Sequence, residues 1–241
     1  MESNPMIVSY FSGGVSSAVA TKMVVDDLDR IVYTHIDDHH PDTMRFVRDC
    51  EEWFGKQVEL MQSPLKSVDN TCRFQSFIHH PGRGACCTKH LKREVRKAFE
   101  RKHQGAMQIV WGLDCTEEER CERIRQSMPD HKHLFPLVDE RINKSEAHRI
   151  LKASGIKRPA MYVMGYHNNN CIGCVKGGMG YWNKIRVDFP NVFESRAVLE
   201  RDIGFPILGK GIWLDELDPD RGRHAGPICG DCGIMCEMMA I

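Results

Sequence analysis

The 241-residue sequence lacks net charge, long apolar runs and repeats. Lys and Arg together number 33, as do Asp and Glu, so the formal net charge is zero. This balance excludes attachment to nucleic acid or membrane by bulk charge, although it leaves room for a local basic patch. No stretch of the sequence approaches the roughly 20 apolar residues that a membrane helix needs. No internal repeat or low-complexity tract is present, so we expect one sizeable domain with a small appendage and no association with a membrane.

Cysteine is abundant, with 11 residues. A secreted chain with this many cysteines is expected to open on a basic leader ahead of an apolar run, whereas the opening residues read MESNPMIVSYF. We therefore expect a cytoplasmic protein. In that compartment thiols stay reduced, and clustered cysteines more often bind metal or do chemistry than form disulfides.

Short apolar runs alternate with segments of helical periodicity through the first half of the chain. Runs of buried-strand character occupy residues 7–11, 31–36, 58–61 and 107–111, and residues 133–138 are a candidate last strand. This order predicts a Rossmann-like α/β fold, in which a parallel sheet has helices on both faces. Ligands of such sheets lie at the carboxyl ends of the strands.

The composition changes in the second half of the chain. Residues 143–154 read as a capped helix, and residues 190–203 as another. From residue 166 onward Gly, Asn and Cys become frequent, and residues 215–241 have no sustained period. We therefore divide the chain into an α/β domain over residues 1–165 and a Cys-rich, metal-binding C-terminal extension over residues 166–241. A short tail of this kind rarely orders itself without a metal or a partner surface.

A glycine-containing loop follows the first predicted strand, with the sequence Ser12-Gly13-Gly14-Val15-Ser16-Ser17. Two glycines let the backbone approach a ligand closely, and the free N–H groups of the helix that follows form an anion site. Ser16 and Ser17 can add hydroxyl donors and cap the helix. The loop is therefore a candidate phosphate- or sulfate-binding site.

This loop resembles the pyrophosphate-binding loop of the adenine nucleotide alpha-hydrolase superfamily, and specifically that of the phosphoadenylyl-sulfate and adenylyl-sulfate reductases. Further segments are similar in the same order, over roughly residues 6–175. They are Ile36-Asp37, His40-Pro41-Asp42-Thr43, Gly112-Leu113-Asp114 with Arg120 downstream, Cys86-Cys87 and Cys171-Ile172-Gly173-Cys174. The resemblance implies nucleotide-binding roles for Ser12, Gly13, Gly14, Ser16, Ser17, Asp37, Gly112 and Arg120.

The sequence departs from the family pattern at three points. Ser16 stands where the family loop usually has Asp, which removes a carboxylate from the anion pocket. Asp114 replaces an Arg of the family, so a phosphate or sulfate contact must come from elsewhere, for example Arg120. The family also ends in Glu-Cys-Gly-Leu-His, and the nearest match here is Asp231-Cys232-Gly233-Ile234, which lacks the His.

The cysteines allow two main metal sites. The resemblance implies a [4Fe–4S] cluster held by Cys86, Cys87, Cys171 and Cys174. Spacing alone favours a zinc ribbon, in which Cys171 and Cys174 join the second C-x-x-C pair formed by Cys229 and Cys232. A tail zinc held by His224, Cys229, Cys232 and Cys236 is a further option. We expect Cys50, Cys72 and Cys121 to be ordinary buried thiols.

The resemblance implies an enzyme that reduces adenylyl sulfate or its 3′-phosphate to sulfite. The Cys232 thiolate would attack sulfur, and a thioredoxin-like protein would supply the reducing thiols. The alternative is an ATP-dependent sulfur-insertion enzyme acting on tRNA or DNA, which would also need a nucleic-acid partner. A nucleotide-binding protein without turnover is a third option, since the family's Asp and Arg are missing from this sequence.

Overall fold

The computed structural model describes residues 5–80, 84–209 and 211–224. Its strands are β1 (Met6–Phe11), β2 (Arg30–His35), β3 (Val58–Gln62), β4 (His79–His80), β5 (Gly84–Ala85), β6 (Met107–Val110) and β7 (Lys132–Leu134). Five of them form a parallel sheet in the order β3-β2-β1-β6-β7. Strands β4 and β5 form a separate antiparallel hairpin.

Helices connect the strands and cover the sheet. They are α1 (Val15–Met23), α2 (Asp42–Phe54), α3 (Val68–Gln75), α4 (Glu94–His103), α5 (Glu118–Ser127), α6 (Pro136–Asp139), α7 (Lys144–Ala153), α8 (Ala160–Val163), α9 (Met179–Asp188) and α10 (Pro190–Ile203). A π-helical segment, Thr88–Arg93, leads directly into α4. Within the described ranges, no helix is both long and apolar enough to cross a membrane.

The sheet has an apolar layer on each face, as buried parallel strands require. Phe11 and Val110 pack into a cluster with α1 and α2, whereas Val8 and Ile109 face the opposite side with Phe99 of α4. Side chains alternate along a strand, so both faces of β1 and β6 are buried. The predicted α/β fold with a parallel sheet and helices on both faces is confirmed.

A second large cluster lies beyond the carboxyl end of β2. It joins Ile36, next to that strand, to Leu91 of the π-helical segment and to Trp182 and Leu199 from α9 and α10. This cluster therefore contains residues from both sides of position 165, and it includes Cys86 and Cys171. The division of the chain at residue 165 stays a prediction.

The local signals of two helices are confirmed. Asn143 caps α7 in a capping box, with its side chain accepting from the Glu146 N–H and Glu146 returning a bond to the Asn143 N–H. Helix α10 begins at Pro190 and ends before Gly204, which is left-handed at φ 77°.

Two predicted elements differ from the structure. Apolar periodicity carries the first helix to Leu28, but α1 ends at Met23 and a 3₁₀ turn, Val25–Asp27, follows. The predicted strand over 133–138 stops at Leu134, because Pro136 has no N–H for the sheet and instead opens α6.

Candidate functional site

The loop 12–17 joins the carboxyl end of β1 to α1. Gly13 has a left-handed φ of 74°, and a Cβ there would lie 3.0 Å from the Tyr33 ring. Gly14 is the extended N-cap residue of α1, without a side-chain cap. The first N–H groups of a helix have no intrahelical partner, so this turn presents donors and the positive end of the helix dipole to an anion.

Ser17 shapes this loop from inside. Its side chain is buried, and its hydroxyl lies 2.8 Å from that of Ser12 and donates to the Gly14 carbonyl at 2.9 Å. The Ser12 N–H donates to the same hydroxyl at 3.1 Å. The sequence predicts a helix-capping or ligand-binding role for Ser17. Its observed contacts close the loop on itself, and its role in ligand binding stays a prediction.

Gly112, predicted as nucleotide-binding, follows β6 and touches the loop through its backbone. A Cβ at this position would lie 2.3 Å from the Cα of Ser17. Real Cβ atoms do not approach a backbone so closely, so only glycine lets the end of β6 lie against the start of α1. This contact brings two of the predicted segments together.

Asp37 and Arg120 lie at the periphery. Asp37 is about half exposed and accepts a hydrogen bond from Gln62 at 2.7 Å. Arg120 is more than half exposed, pairs with Glu117 at 2.7 Å, and lines a surface depression at the start of α5 together with Arg123. Both arginines are thus available for an anion, but the structure gives neither one a contact with loop 12–17.

A neutral histidine lies beside the loop. The His39 Nδ1 is 2.6 Å from the hydroxyl of Tyr33, the residue whose ring packs against Gly13. Burial, aided by the positive charges of Lys92 and His35, lowers the pKa of His39 to about 3. His39 therefore adds no positive charge to the site at neutral pH.

The predicted cluster cysteines come from two segments that meet. Burial and the neighbouring thiols Cys86 and Cys174 raise the pKa of Cys87 to about 11, against the opposing charges of Lys176 and Lys92. Burial raises the pKa of Cys171 to about 12, and Cys174 and Cys87 add to the effect. Cys87, Cys171 and Cys174 are therefore near enough to influence one another's charge.

Cys86 has a different environment from its neighbour. Its thiol donates to the Phe77 carbonyl at 3.0 Å, and its sulfur lies 3.5 Å from that of Cys72. Successive residues of a helical turn point in different directions, so Cys86 and Cys87 do not share one face. Cys72 is buried as predicted, but its pairing with Cys86 was not predicted.

The donor chemistry suits an iron–sulfur group, because thiolates are the usual ligands of cubane clusters. The described surroundings of these thiols include Lys92 and Lys176, and the Asp38 carboxylate near Cys171. Within residues 5–80, 84–209 and 211–224, however, no three His, Cys, Asp or Glu side chains stand together in the arrangement of a metal site. The metal assignment therefore stays a prediction.

Residues that sequence reasoning missed hold the C-x-x-C loop in place. The Tyr181 hydroxyl accepts from the Cys174 N–H at 2.9 Å and donates to the Cys171 carbonyl at 3.2 Å. The Ile172 N–H donates to the Asp38 carbonyl at 2.8 Å. The position of Tyr181, seven residues after Cys174, is a local signal from which its contact could have been found. The contact between Ile172 and Asp38 joins segments far apart in the sequence and has no local signal.

The predicted nucleophile Cys232 lies outside the described residues, as do Cys229 and Cys236. The last described segment lies on the start of α9. A Cβ on Gly180 would be 2.3 Å from the Arg223 carbonyl carbon, and the His224 ring is 5.7 Å from that of Tyr166. The Tyr166 ring in turn lies 5.8 Å from Tyr181, which binds the C-x-x-C loop. Residue 224 is thus close to the cysteine region.

Comparison with known proteins identifies the family of this chain. The family model of the phosphoadenosine phosphosulfate reductase domain matches residues 6–177, well over half of the chain. The crystal structure of phosphoadenylyl-sulfate (PAPS) reductase from Candida auris, a phosphate complex, is 12% identical. That match covers 68% of this chain and 80% of the other, with a TM-score of 0.47. No curated protein matches the sequence.

Proposed function

Because the chain belongs to the phosphoadenosine phosphosulfate reductase domain family, we propose that it is a sulfonucleotide reductase that converts adenylyl sulfate or its 3′-phosphate to sulfite. The observation that carries the proposal is the loop 12–17 at the carboxyl end of β1, within the segment matched by the family. Its backbone meets the start of α1, where the helix offers free N–H groups to an anionic group.

In this proposal the nucleotide lies over the carboxyl ends of the strands. Ser12, Gly13, Gly14 and Ser16 contact the phosphate or sulfate, and Ser17 and Gly112 give the loop its shape. Asp37 contacts the nucleotide from the end of β2, while Arg120 supplies positive charge from α5. Because Asp114 accepts from the Thr116 N–H and hydroxyl at 2.9 and 2.6 Å, it closes the turn that precedes α5 and does not take the phosphate-binding role of the family's Arg.

The chemical step is a transfer of the sulfonate group to a cysteine. The Cys232 thiolate attacks sulfur, an S–S bond forms, the bond from sulfur to the bridging phosphate oxygen breaks, and AMP (or its 3′-phosphorylated form) leaves. A dithiol of thioredoxin type then supplies two electrons: it attacks the Cys232 sulfur, sulfite leaves, and the resulting mixed disulfide resolves to a protein disulfide and free Cys232. A reducing compartment such as the cytoplasm suits this reaction, because dithiol proteins stay reduced there and can regenerate the free Cys232 thiol.

Four cysteines, two from each half of the chain, are proposed to hold the metal. Cys86, Cys87, Cys171 and Cys174 would ligate a [4Fe–4S] cluster, and such a group would supply charge that helps to balance that of the sulfate. With the proposed domains at 1–165 and 166–241, Cys86 and Cys87 come from the first domain and Cys171 and Cys174 from the second. Zinc in the tail is the competing assignment, and metal analysis of the purified protein distinguishes it from iron.

The proposal is tested with three substrates. The protein is incubated with adenylyl sulfate, with its 3′-phosphate, and with ATP plus tRNA or DNA, each with reduced thioredoxin. We expect sulfite from one of the first two, and none from the Cys232→Ser variant. Release of AMP or pyrophosphate from ATP that depends on nucleic acid, without sulfite, would instead establish a sulfur-insertion enzyme.

A further inference from the structure

A buried amide connects loop 12–17, the proposed nucleotide loop, directly to the segment that leads into the Cys171–Cys174 loop, here called the cysteine loop. The Asn169 side chain is 8% exposed, and its Nδ2 donates to the Gly13 carbonyl at 2.8 Å. The same Nδ2 lies 3.2 Å from the Thr43 hydroxyl at the start of α2. Asn169 is separated from Gly13 by 156 residues, yet it precedes Cys171 by only two.

A second contact joins the same two loops. The Tyr162 hydroxyl lies 3.3 Å from the position that a Cβ on Gly14 would take. Burial raises the pKa of Tyr162, and the backbone N–H groups of Val15 and Asn169 partly offset that rise. The hydroxyl is thus placed between the first turn of α1 and the backbone of Asn169.

The far side of the cysteine loop is anchored as well. The Ile172 N–H donates to the carbonyl of Asp38, whose side chain is paired with the buried Arg196. Asp38 also accepts from the Val68 N–H at 2.7 Å, which fixes it to α3. Residues 169–172 are therefore held at one end by the nucleotide loop and at the other by the segment after β2.

We propose that Asn169, with Tyr162 in support, is a positioning residue that couples ligand binding in loop 12–17 to the conformation of the Cys171–Cys174 loop. The inference rests on the proposed function for the identity of the ligand, but not for the contact itself. An anion that binds the N–H groups of residues 13–15 orders the Gly13 peptide, and the Asn169 amide transmits that order to the cysteines. Linkage is reciprocal, so a ligand on the cysteines must tighten nucleotide binding by the same factor.

The neighbouring asparagine provides a matched control. Asn168 is exposed, and its Oδ1 accepts from the Lys144 ammonium at 2.7 Å, with no contact to Gly13. Asn168→Ala removes a side chain of the same size from the same loop. A general loosening of the loop would affect both variants, whereas loss of the coupling contact would affect only Asn169→Ala.

The test measures alkylation of Cys174 in the metal-free protein. Wild type, Asn169→Ala and Asn168→Ala are treated with N-ethylmaleimide, with and without saturating adenylyl sulfate, and each cysteine is quantified by peptide mass spectrometry. We expect adenylyl sulfate to slow Cys174 alkylation about fivefold or more in wild type and Asn168→Ala, in line with usual coupling factors. We expect that protection to be lost in Asn169→Ala. Equal protection in all three proteins would overturn the proposal.

The arm without nucleotide separates this inference from the proposed function. Without nucleotide, Cys174 should react several-fold faster in Asn169→Ala than in the other two proteins. Cys115, which lies between β6 and α5, serves as the internal reference. If adenylyl sulfate binds none of the proteins, the proposed function fails, and this rate difference alone decides the coupling. Equal rates overturn it. Should Asn169→Ala fail to fold, Tyr162→Phe removes only a hydroxyl from the same junction and is expected to give a weaker change of the same sign.

Discussion

The nucleotide loop and the cysteine region are built in different ways. Loop 12–17 takes its shape from its own serines and from backbone contacts so close that Gly112 has no substitute. The cysteine region is assembled from side chains of separate segments, and three of the cysteines predicted to act there lie outside the described residues. The first site is preformed by local backbone geometry, whereas the second depends on contacts between segments that are far apart in the sequence.

The largest expected effect concerns the metal. Cys87→Ser should lose nearly all bound iron, because the Cys87 thiol shares its surroundings with Cys171 and Cys174. Cys86→Ser should retain more, since the Cys86 thiol is turned to the Phe77 carbonyl and to Cys72. Iron and acid-labile sulfide are measured per protein after anaerobic purification. An iron content of either variant equal to that of wild type would remove that cysteine from the four proposed ligands.

Gly112→Ala should destabilise loop 12–17, the site that is preformed by its backbone. The new Cβ would overlap the backbone of Ser17, and overpacking of this kind costs about 3 kcal/mol when the surroundings cannot move. Thermal or urea unfolding gives the loss of stability, and adenylyl sulfate binding should fall as well. Gly178→Ala is the matched control, because a Cβ there meets no atom within 4 Å. A Gly112→Ala protein as stable as this control would contradict the close contact.

The adjacent serines provide a finer test of the same loop. Ser17→Ala should lower the free energy of unfolding by about 2 kcal/mol, because the Ser12 N–H and the Ser12 hydroxyl lose their shared partner at this buried side chain, while the Gly14 carbonyl keeps only the Ala18 N–H. Ser16→Ala, at a half-buried position, should change stability by no more than about 0.5 kcal/mol. Ser16→Ala should instead weaken nucleotide binding. The reverse pattern would mean that Ser16 shapes the loop.

The smallest expected effect is a pH dependence from His39. Its pKa is about 3 in the fold and near 6.5 when unfolded, so the unfolded chain binds the extra proton between these values. Stability is unaffected above pH 6.5 and falls below it, by about 1.4 kcal/mol at pH 5.5. Urea unfolding of wild type and His39→Gln at pH 7.5 and 5.5 isolates this contribution from that of His148, whose pKa is also lowered, to about 4. If both proteins lose stability equally, His39 is not held neutral.

Local signals accounted for much of the fold. The apolar runs predicted the parallel sheet, Asn143 and Gly155 predicted the ends of α7, and the helix predicted over residues 190–203 is α10. The prediction that residues 133–138 form one strand was wrong because Pro136 redirects the chain into α6. The glycines of loop 12–17 indicated the turn from β1 to α1. This local signal was sufficient because residues close in the sequence determine the shape of the loop.

Contacts across long sequence separations could not be read in this way. Asn169 reaches Gly13 and Thr43 only after the chain has folded, and Asn in a Gly- and Asn-rich segment is otherwise an ordinary loop residue. The pairing of Cys72 with Cys86 has the same origin, because it depends on how α3 and the β4–β5 hairpin pack. The roles of Asp37, Arg120, Cys232 and the four proposed ligands stay predictions.

The central claim is that a nucleotide held by the preformed loop donates its sulfonate group to a cysteine outside it. Mass spectrometry of the reduced full-length protein after incubation with adenylyl sulfate, without added thioredoxin, tests this most directly. We predict one added sulfonate group, located on Cys232, that forms with release of AMP and disappears when thioredoxin is added. Absence of any adduct on wild type, under conditions where adenylyl sulfate binds, would contradict the account.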